Sequence, residues 1–315
     1  MYKLSIIIPV YCEEQIINEC YERLLKVLSP LDNYSHELIF VDDGSYDNTL
    51  NVLKELASQN NCIKIISFAR NFGHQCAVTA GLKASKGDVV AIIDADLQDP
   101  PECIPEMLKL WEKGYEVVYA KRISREGETF FKLITAKFFY KLLQSVTKIN
   151  IPRDTGDFRL IDRKVVNVIN NLPEHNKFLR GLFPWIGFKQ IAYEYQRQPR
   201  YAGITKYSLN KMFKFALDGI IGFSDFLLKL IGIFGIVSLL FSFLLFSLSI
   251  ILYFSENKVL DFKLMTIIII AFFSLGLQML SLWITSEYIS RIYDECKNRP
   301  QYVISKLINI DKVVD

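Results

Sequence analysis

The chain has 315 residues, room for one large domain or two of ordinary size. Thirty-seven Lys and Arg against 34 Asp and Glu leave a formal net charge of +3, without the basic excess of a general nucleic-acid binder. With 51% hydrophobic and 23% charged residues the chain is not disordered, and its mean hydropathy of +0.20 is high for a soluble enzyme.

Short apolar runs alternate with helical patterns over the first 120 or so positions. Leu4–Val10 reads as a strand and Glu13–Leu28 as a helix. Glu37–Val41 is the next strand, followed by a helix over Asp47–Gln59. Ile63–Phe68 and Val89–Ile93 are further strands, with Gln75–Ala84 helical between them. A helix over Pro101–Trp111 leads to a strand at Glu116–Tyr119. The alternation predicts an α/β fold with a mostly parallel sheet that binds ligands at the carboxyl ends of its strands.

Polar residues gather at those ends: Pro-Val-Tyr-Cys-Glu-Glu at 9–14, Val-Asp-Asp-Gly-Ser at 41–45, Phe-Ala-Arg-Asn-Phe-Gly at 68–73 and Asp-Ala-Asp-Leu-Gln-Asp-Pro at 94–100. Asp47 and Asp99 each suit a helix cap, and Asp42 and Asp43 suit an Asx turn with Gly44 and Ser45. Four such endings in succession, three of them acidic, predict a shared site. Asp94 and Asp96 are two apart at a strand end, which puts both carboxylates on one face, where they repel unless a cation lies between them. Hard oxygen donors favour Mg²⁺ or Mn²⁺, which stabilise a diphosphate leaving group.

The P-loop, G-x-G-x-x-G, H-E-x-x-H and G-x-S-x-G signatures are absent. His36, His74 and His175 form no metal spacing, and His74 is expected to be a packed or solvated histidine beside the site. Six cysteines, at 12, 20, 62, 76, 103 and 296, have no C-x-x-C pairing and read as reduced thiols.

Two uncharged runs follow, 231–254 and 264–286, of 24 and 23 residues. As helices they reach about 36 and 34 Å, enough for a hydrocarbon core of about 30 Å. The short linker Ser255–Lys263 makes them a hairpin. The approach carries Arg197, Arg200, Lys206, Lys211, Lys214 and Lys229, and the segment beyond carries Arg291, Lys297, Arg299, Lys306 and Lys312. The positive-inside rule therefore puts both flanks in the cytoplasm, and no signal peptide is expected. The expected organisation is a catalytic domain over 1–204, a juxtamembrane amphipathic helix over 205–229, two transmembrane helices within 230–286, and a cytoplasmic tail over 287–315. Basic amphipathic patterns at Phe130–Val146 and Leu209–Phe226 suit docking at a membrane interface or covering the sheet.

Pro9–Glu14, Val41–Ser45, Arg70–Gly73 and Asp94–Pro100 resemble the successive motifs of inverting family 2 glycosyltransferases with the GT-A fold. Ala120-Lys-Arg122, Gly156-Asp-Phe-Arg-Leu160, and Arg200 with Gly203, Thr205 and Lys206 extend the match. With the two apolar runs and Tyr288, Arg291, Tyr293 and Arg299-Pro300, the chain over about 4–304 resembles polyisoprenyl-phosphate glycosyltransferases of the bacterial bactoprenol glucosyltransferase type, relatives of dolichol-phosphate mannose synthase. Two positions depart from that pattern. Cys12 stands where the family usually has Asn, and His74 and Gln75 stand where relatives often carry Lys and Glu.

The resemblance implies transfer of a sugar from a UDP-sugar to undecaprenyl phosphate at the cytoplasmic membrane face, with inversion. Glucose is the first choice; GlcNAc, an aminoarabinose, or mannose from a GDP donor are alternatives. It implies that Pro9, Tyr11, Glu13 and Asp42 hold the nucleoside, that Arg70 binds base or diphosphate, and that Asp94, Ala95 and Asp96 line the nucleotide-sugar site. Asp94 and Asp96, helped by Gln98, hold Mg²⁺ or Mn²⁺. Asp157 and Asp96 are the catalytic carboxylates, and Arg122, Arg200 and Lys206 bind the acceptor phosphate. That phosphate has a second pKa near 6 and is already anionic at neutral pH, so Asp157 is expected to orient the nucleophile or sugar rather than take a proton. A homo-oligomer and a separate flippase are implied as partners. A processive polysaccharide synthase is disfavoured by the missing Q-x-x-R-W, and a non-catalytic membrane scaffold by the intact acidic motifs.

Overall fold

A computed structural model describes residues 1–123, 152, 155–174, 177–196, 260–297 and 299–310. The chain divides into two compact units, one of Met1–Gly219 with Pro300–Asp315 and one of Ile220–Arg299.

In the first unit the elements run β1 (Tyr2–Val10), α1 (Ile17–Leu28), β2 (Tyr34–Asp42), α2 (Thr49–Gln59), β3 (Ile63–Phe68), α3 (His74–Ala84) and β4 (Val89–Ile92). A 3₁₀ turn at Pro101–Cys103 leads into α4 (Ile104–Glu112), then β5 (Val117–Arg122), β6 (Thr155–Asp162), α5 (Arg163–Asn171), α6 (Leu179–Ile186) and β7 (Gln190–Tyr195). After the helix of the second unit, α7 (Leu260–Lys297), the chain returns to the first unit as β8 (Ile304–Ile308).

The eight strands form one sheet in the order β7-β5-β6-β4-β1-β2-β3-β8. Pairs β1–β2, β2–β3, β1–β4 and β5–β7 are parallel, while β6 is antiparallel to both neighbours and β8 is antiparallel to β3. Leu4 to Val10 of β1 are all buried, as expected of a central strand covered on both faces. Helix α1 buries Ile17, Cys20, Leu24 and Leu28, a spacing of three and four that turns one stripe to the sheet. The strand order reverses between β1 and β4, and a crevice at such a switch point is the usual ligand site of an open α/β sheet.

The elements predicted from the sequence up to β5 are all present, with ends moved by a few residues. Strands β6, β7 and β8 and helices α5 and α6 are additions. Asp162 ends β6 and accepts a bond from the Lys164 N–H at 2.9 Å, so it caps α5 with no intervening loop. Gly187, at φ +80°, closes α6 in the left-handed conformation.

Beyond position 286, α7 continues to Lys297 and Ile304–Ile308 joins the sheet edge as β8. Taken over its described residues, no helix is long and apolar enough to cross a membrane. The expected span 231–254 and both amphipathic segments lie outside the described residues, as do Arg200 and Lys206. The span 264–286 falls within α7, where only some side chains are described.

Candidate active site

Beyond β1 the chain passes Tyr11, Cys12 and Glu13 before entering α1. The Cys12 N–H donates to Ser45 Oγ at 2.9 Å, and the Glu13 N–H to Thr49 Oγ1 at 2.9 Å, which ties this loop to the one after β2. Cys12 lies at φ +53°. Asn tolerates that left-handed region better than most residues, which gives a backbone reason for the Asn usual in the resembled motif. Pro9 lies in β1, and the Tyr11 ring meets Tyr46 edge-on at 6.2 Å.

After β2, Asp42 is only 1% exposed; one carboxylate oxygen accepts the Ser45 N–H at 3.0 Å and the other the Ser67 hydroxyl at 2.9 Å. It is buried and committed to the turn. Asp43 accepts bonds from Asn71 Nδ2 and from the N–H groups of Phe72 and Gly73, gathering the loop after β3. Exposed Arg70 projects from that loop, with its guanidinium 4.0 Å from the Phe72 ring centre. Gly44, at φ +70°, allows the two loops to meet, because a Cβ there would sit 2.3 Å from the Arg70 carbonyl carbon.

Strand β4 ends at Ile92, so Asp94 and Asp96 follow it in a turn and the strand-face argument for their alignment does not apply. Ala95 is buried, Leu97 takes φ +56°, and the Gln98 N–H donates to Asp96 Oδ1 at 3.2 Å, folding the segment tightly. Desolvation pushes the Asp94 carboxyl up to about 6, with Asp99, Asp96 and Asp157 adding to the shift and His74 opposing it.

His74, at the start of α3, belongs to the site rather than being a bystander. Its Nε2 lies 3.8 Å from Asp94 Oδ1 and 3.3 Å from Asp157 Oδ2. Asp94 is beyond hydrogen-bonding distance of Nε2, and the attraction of the ring to both carboxylates is largely that of opposite charges. Desolvation works against the charged ring, but the two carboxylates outweigh it and push the pKa up to about 9. On the other side of Asp157, Arg180 donates through Nε to Oδ1 and through Nη2 to Oδ2, both at 2.8 Å. Burial raises the Asp157 pKa, but Arg180 and His74 prevail and hold it well below the usual carboxylate range. A row of alternating charge thus runs Asp94, His74, Asp157, Arg180.

A second network lies at the ends of β5 and β7. The Tyr195 hydroxyl donates to Asp99 Oδ1, the Arg122 Nε–H donates to the Tyr195 oxygen at 3.3 Å, and Arg122 Nη2 is 3.8 Å from Asp99. Asp99 is therefore bound to these partners, and no side chain caps the 3₁₀ turn that follows. A Cβ on Gly156 would lie 2.9 Å from Arg122 Nη2, so the small residue lets the guanidinium come close to the strand bearing Asp157. Buried Arg159 donates to the Gly156 and Asp157 carbonyls and lies 4.1 Å over the Phe183 ring.

Among the described residues no three His, Cys, Asp or Glu side chains converge as a metal cage. The crowded carboxylates around Asp94 nevertheless fit a divalent cation. Magnesium commonly takes one or two protein carboxylates and fills its remaining positions with phosphate oxygens and water. Arg180, Tyr195 and the role of Asp99 carried no motif in the sequence. His74 had one signal, its place directly after the Phe72-Gly73 pair.

The sequence is similar to those of known proteins. The family model described as glycosyl transferase family 2 matches residues 5–169. Glycosyltransferase YkcC of Bacillus subtilis (strain 168), itself uncharacterised, is 48% identical, covering 98% of this chain and 94% of that one. The SfII prophage-derived bactoprenol glucosyl transferase of Shigella flexneri is 39% identical, covering 96% and 98%. Among solved structures, glucosyl-3-phosphoglycerate synthase from Mycobacterium tuberculosis, in complex with Mn²⁺, UDP-glucose and phosphoglyceric acid, is 20% identical over 71% of this chain and 81% of that one, with a TM-score of 0.44. The chain belongs to glycosyl transferase family 2 and is a glycosyltransferase.

Proposed function

We propose that the protein transfers glucose from UDP-glucose to undecaprenyl phosphate, giving a lipid-phosphate-linked monosaccharide. The observation that carries this is the near full-length similarity, 39% identity over 96% of the chain, to a bactoprenol glucosyl transferase. The cluster of Asp94, Asp96, Asp157, His74 and Arg180 supports it as a place where anionic substrates meet.

In this reading an acceptor phosphate oxygen attacks the anomeric carbon while the bond from that carbon to the diphosphate oxygen breaks. UDP leaves and the anomeric centre inverts. An acceptor arriving as the dianion has no proton to lose, so Asp157 acts through its charge and contacts. Asp94 and Asp96 would hold Mg²⁺ or Mn²⁺, with Gln98 beside them; when bound, the cation neutralises charge on the departing diphosphate. Arg70 and the loop of Tyr11 and Glu13 serve the donor, and Arg122 with Arg200 and Lys206 serves the acceptor phosphate.

The same proposal sets the enzyme on the cytoplasmic face of a bacterial inner membrane, anchored by a hairpin of 231–254 and 264–286. Two observations support the anchor. Ile267, Phe273, Met279, Leu280, Leu282 and Trp283 of α7 are exposed in a segment without charge. The chain also leaves the first unit and returns to it as β8, which suits an even number of crossings. A homo-oligomer and a separate flippase complete the proposal.

The test is turnover by the purified full chain with undecaprenyl phosphate and Mg²⁺ or Mn²⁺, offering UDP-glucose, UDP-GlcNAc, UDP-galactose and GDP-mannose in turn. One glucosylated lipid, lost in Asp96→Asn, is the expected result. Transfer from another donor corrects the sugar, and absence of nucleotide binding overturns the reading in favour of a scaffold.

A further inference from the structure

Arg122 ends β5 and Tyr195 ends β7, and the parallel ladder pairs them in register. In-register neighbours turn their side chains to the same face, about 4.8 Å apart. The preceding pair, Lys121 and Glu194, faces the other way and closes an exposed ion pair at 2.7 Å. The register is therefore what delivers the Tyr195 hydroxyl to the Arg122 Nε–H. The Ile123 N–H donates to the Tyr195 carbonyl at 2.9 Å and carries the ladder one residue beyond the pair.

The Tyr195 hydroxyl is held in its turn. It donates to Asp99, and the Tyr195 ring lies edge-on to Phe158 of β6 at 6.0 Å. Tyr195 and Asp99 are both buried, whereas the Arg122 side chain is 18% exposed and is the member of the three that solution reaches. The Asp99 carboxylate takes the tyrosine and stays 3.8 Å from Arg122 Nη2, too far for a hydrogen bond. Arg23 and Glu102 show the other arrangement in the same fold, with Nε and Nη2 donating to the two carboxylate oxygens at 2.6 and 2.9 Å. With a tyrosine interposed, Arg122 is steered by a carboxylate without being closed into such a pair, and its charge still attracts a second anion.

Asp99 also ties this network to the donor side. It follows Asp94 and Asp96 in the segment after β4, and its charge helps to raise the Asp94 pKa. The link from Asp99 through Tyr195 therefore fixes Arg122 relative to the segment proposed to hold the cation. Transfer between two phosphate-bearing substrates depends on holding them at a set separation. A free arginine loses much rotamer freedom on binding, and one already held loses less.

We propose that Tyr195, anchored by Asp99, is a positioning residue that orients Arg122 toward the phosphate of the acceptor and so sets the affinity for it. The inference rests on Arg122 serving the acceptor phosphate, as proposed above. It gives Asp99 a task on the acceptor side of a segment whose other carboxylates serve the metal.

The experiment uses the full chain in a double-mutant cycle of wild type, Tyr195→Phe, Arg122→Gln and the two together. Undecaprenyl phosphate is varied at saturating UDP-glucose, then the reverse. Tyr195→Phe keeps the ring against Phe158 and removes only the hydroxyl. Its KM for the lipid phosphate should rise about three- to tenfold, that of Arg122→Gln about tenfold or more, and the double variant should match Arg122→Gln. The KM for UDP-glucose should stay within about twofold throughout, with kcat changed less than the lipid KM. UDP binding by each variant checks the fold; where Tyr195→Phe fails that check, Asp99→Asn takes its place in the cycle with the same expectation. Rises that multiply in the double variant would show that Tyr195 acts independently of Arg122 and overturn the inference. An unchanged lipid KM in Tyr195→Phe, or an effect confined to kcat or to the donor KM, overturns it too. An unchanged lipid KM in Arg122→Gln overturns the acceptor role of Arg122, and this inference with it, but leaves the reaction standing. A wild type that turns over UDP-glucose with water but never with the lipid phosphate overturns the proposed function itself, and the inference falls with it.

Discussion

Phe68 and Tyr302 stack face to face, ring centres 4.8 Å apart and planes 15° from parallel, although they come from β3 and from the segment leading into β8. Phe68 also meets Phe72 edge-on at 5.8 Å, and Phe72 lies under the Arg70 guanidinium at 4.0 Å. The Ala69 N–H donates to the Val303 carbonyl at 2.9 Å, so backbone and rings together fix the returning chain beside the loop that carries Arg70.

Tyr302→Ala should lower stability by about 1–2 kcal/mol, from lost ring burial and stacking. It should also raise the KM for the nucleotide-sugar donor, because the Phe68–Phe72–Arg70 series loses its outer support. Thermal melting and donor titration read the two effects. Ending the chain at Pro300 removes β8 and leaves β3 as an open sheet edge, so aggregation should rise. A Tyr302→Ala protein that melts and binds donor like the wild type would show that the stack is idle.

Gly44→Ala should cost more than about 2 kcal/mol, since it adds a Cβ at a left-handed φ and drives it into the Arg70 backbone. Gly114→Ala is the internal control. It shares a positive φ, +88°, but its Cβ would meet nothing within 4 Å, so about 1 kcal/mol is expected. Equal denaturation midpoints for the two variants would mean that the approach of the loops after β2 and β3 is not tight.

Glu37 is an acid-sensitive point far from the site. Burial raises its pKa, but Lys3, Lys64, the Ser5 hydroxyl and the Lys86 N–H overcome this and bring it down to about 2. A depressed carboxylate pKa contributes stability that is fully present above the unfolded value of 4.5 and is lost as pH falls from there toward 2. Glu37→Gln should therefore destabilise the protein by about 2–4 kcal/mol at pH 7 and flatten the dependence of stability on pH below 4.5. Urea titrations at pH 7 and at stepped acid pH test it; an unchanged acid slope would exclude Glu37 as the source.

The carboxylates after β4 predict a metal requirement. Chelation should abolish transfer, and Mg²⁺ or Mn²⁺ should restore it. Asp96→Asn should lose about hundredfold or more of the rate at saturating metal while still folding, because charge neutralisation of the leaving group is worth several kcal/mol. Full activity in a chelator would remove Asp94 and Asp96 from the mechanism.

Legibility from the sequence followed the length scale of each feature. β1 to β5 are continuous apolar runs bounded by polar clusters, and such runs predict buried strands without reference to the rest of the fold. β6 escaped that test because it carries Asp157 and Arg159 inward, where an ion pair, carbonyl acceptors and the Phe183 ring satisfy them. A strand with buried charge does not look apolar. α6 is short and contains Pro184, and β8 is a five-residue edge strand with two of its side chains exposed, so neither stands out. Asp94 and Asp96 were recognised as a pair, but through an extended geometry that the turn after Ile92 replaces.

The sequence by itself determined the α/β alternation, the acidic strand ends and the two uncharged runs, because periodicity, run length and composition are local properties. Only the tertiary structure decided that His74 lies between Asp94 and Asp157, that Arg180 grips Asp157, and that the chain beyond α7 returns to line the β3 edge. Those relationships depend on strand order and on how each desolvated charge finds a partner remote in the chain, and no window of the sequence contains both members of such a pair.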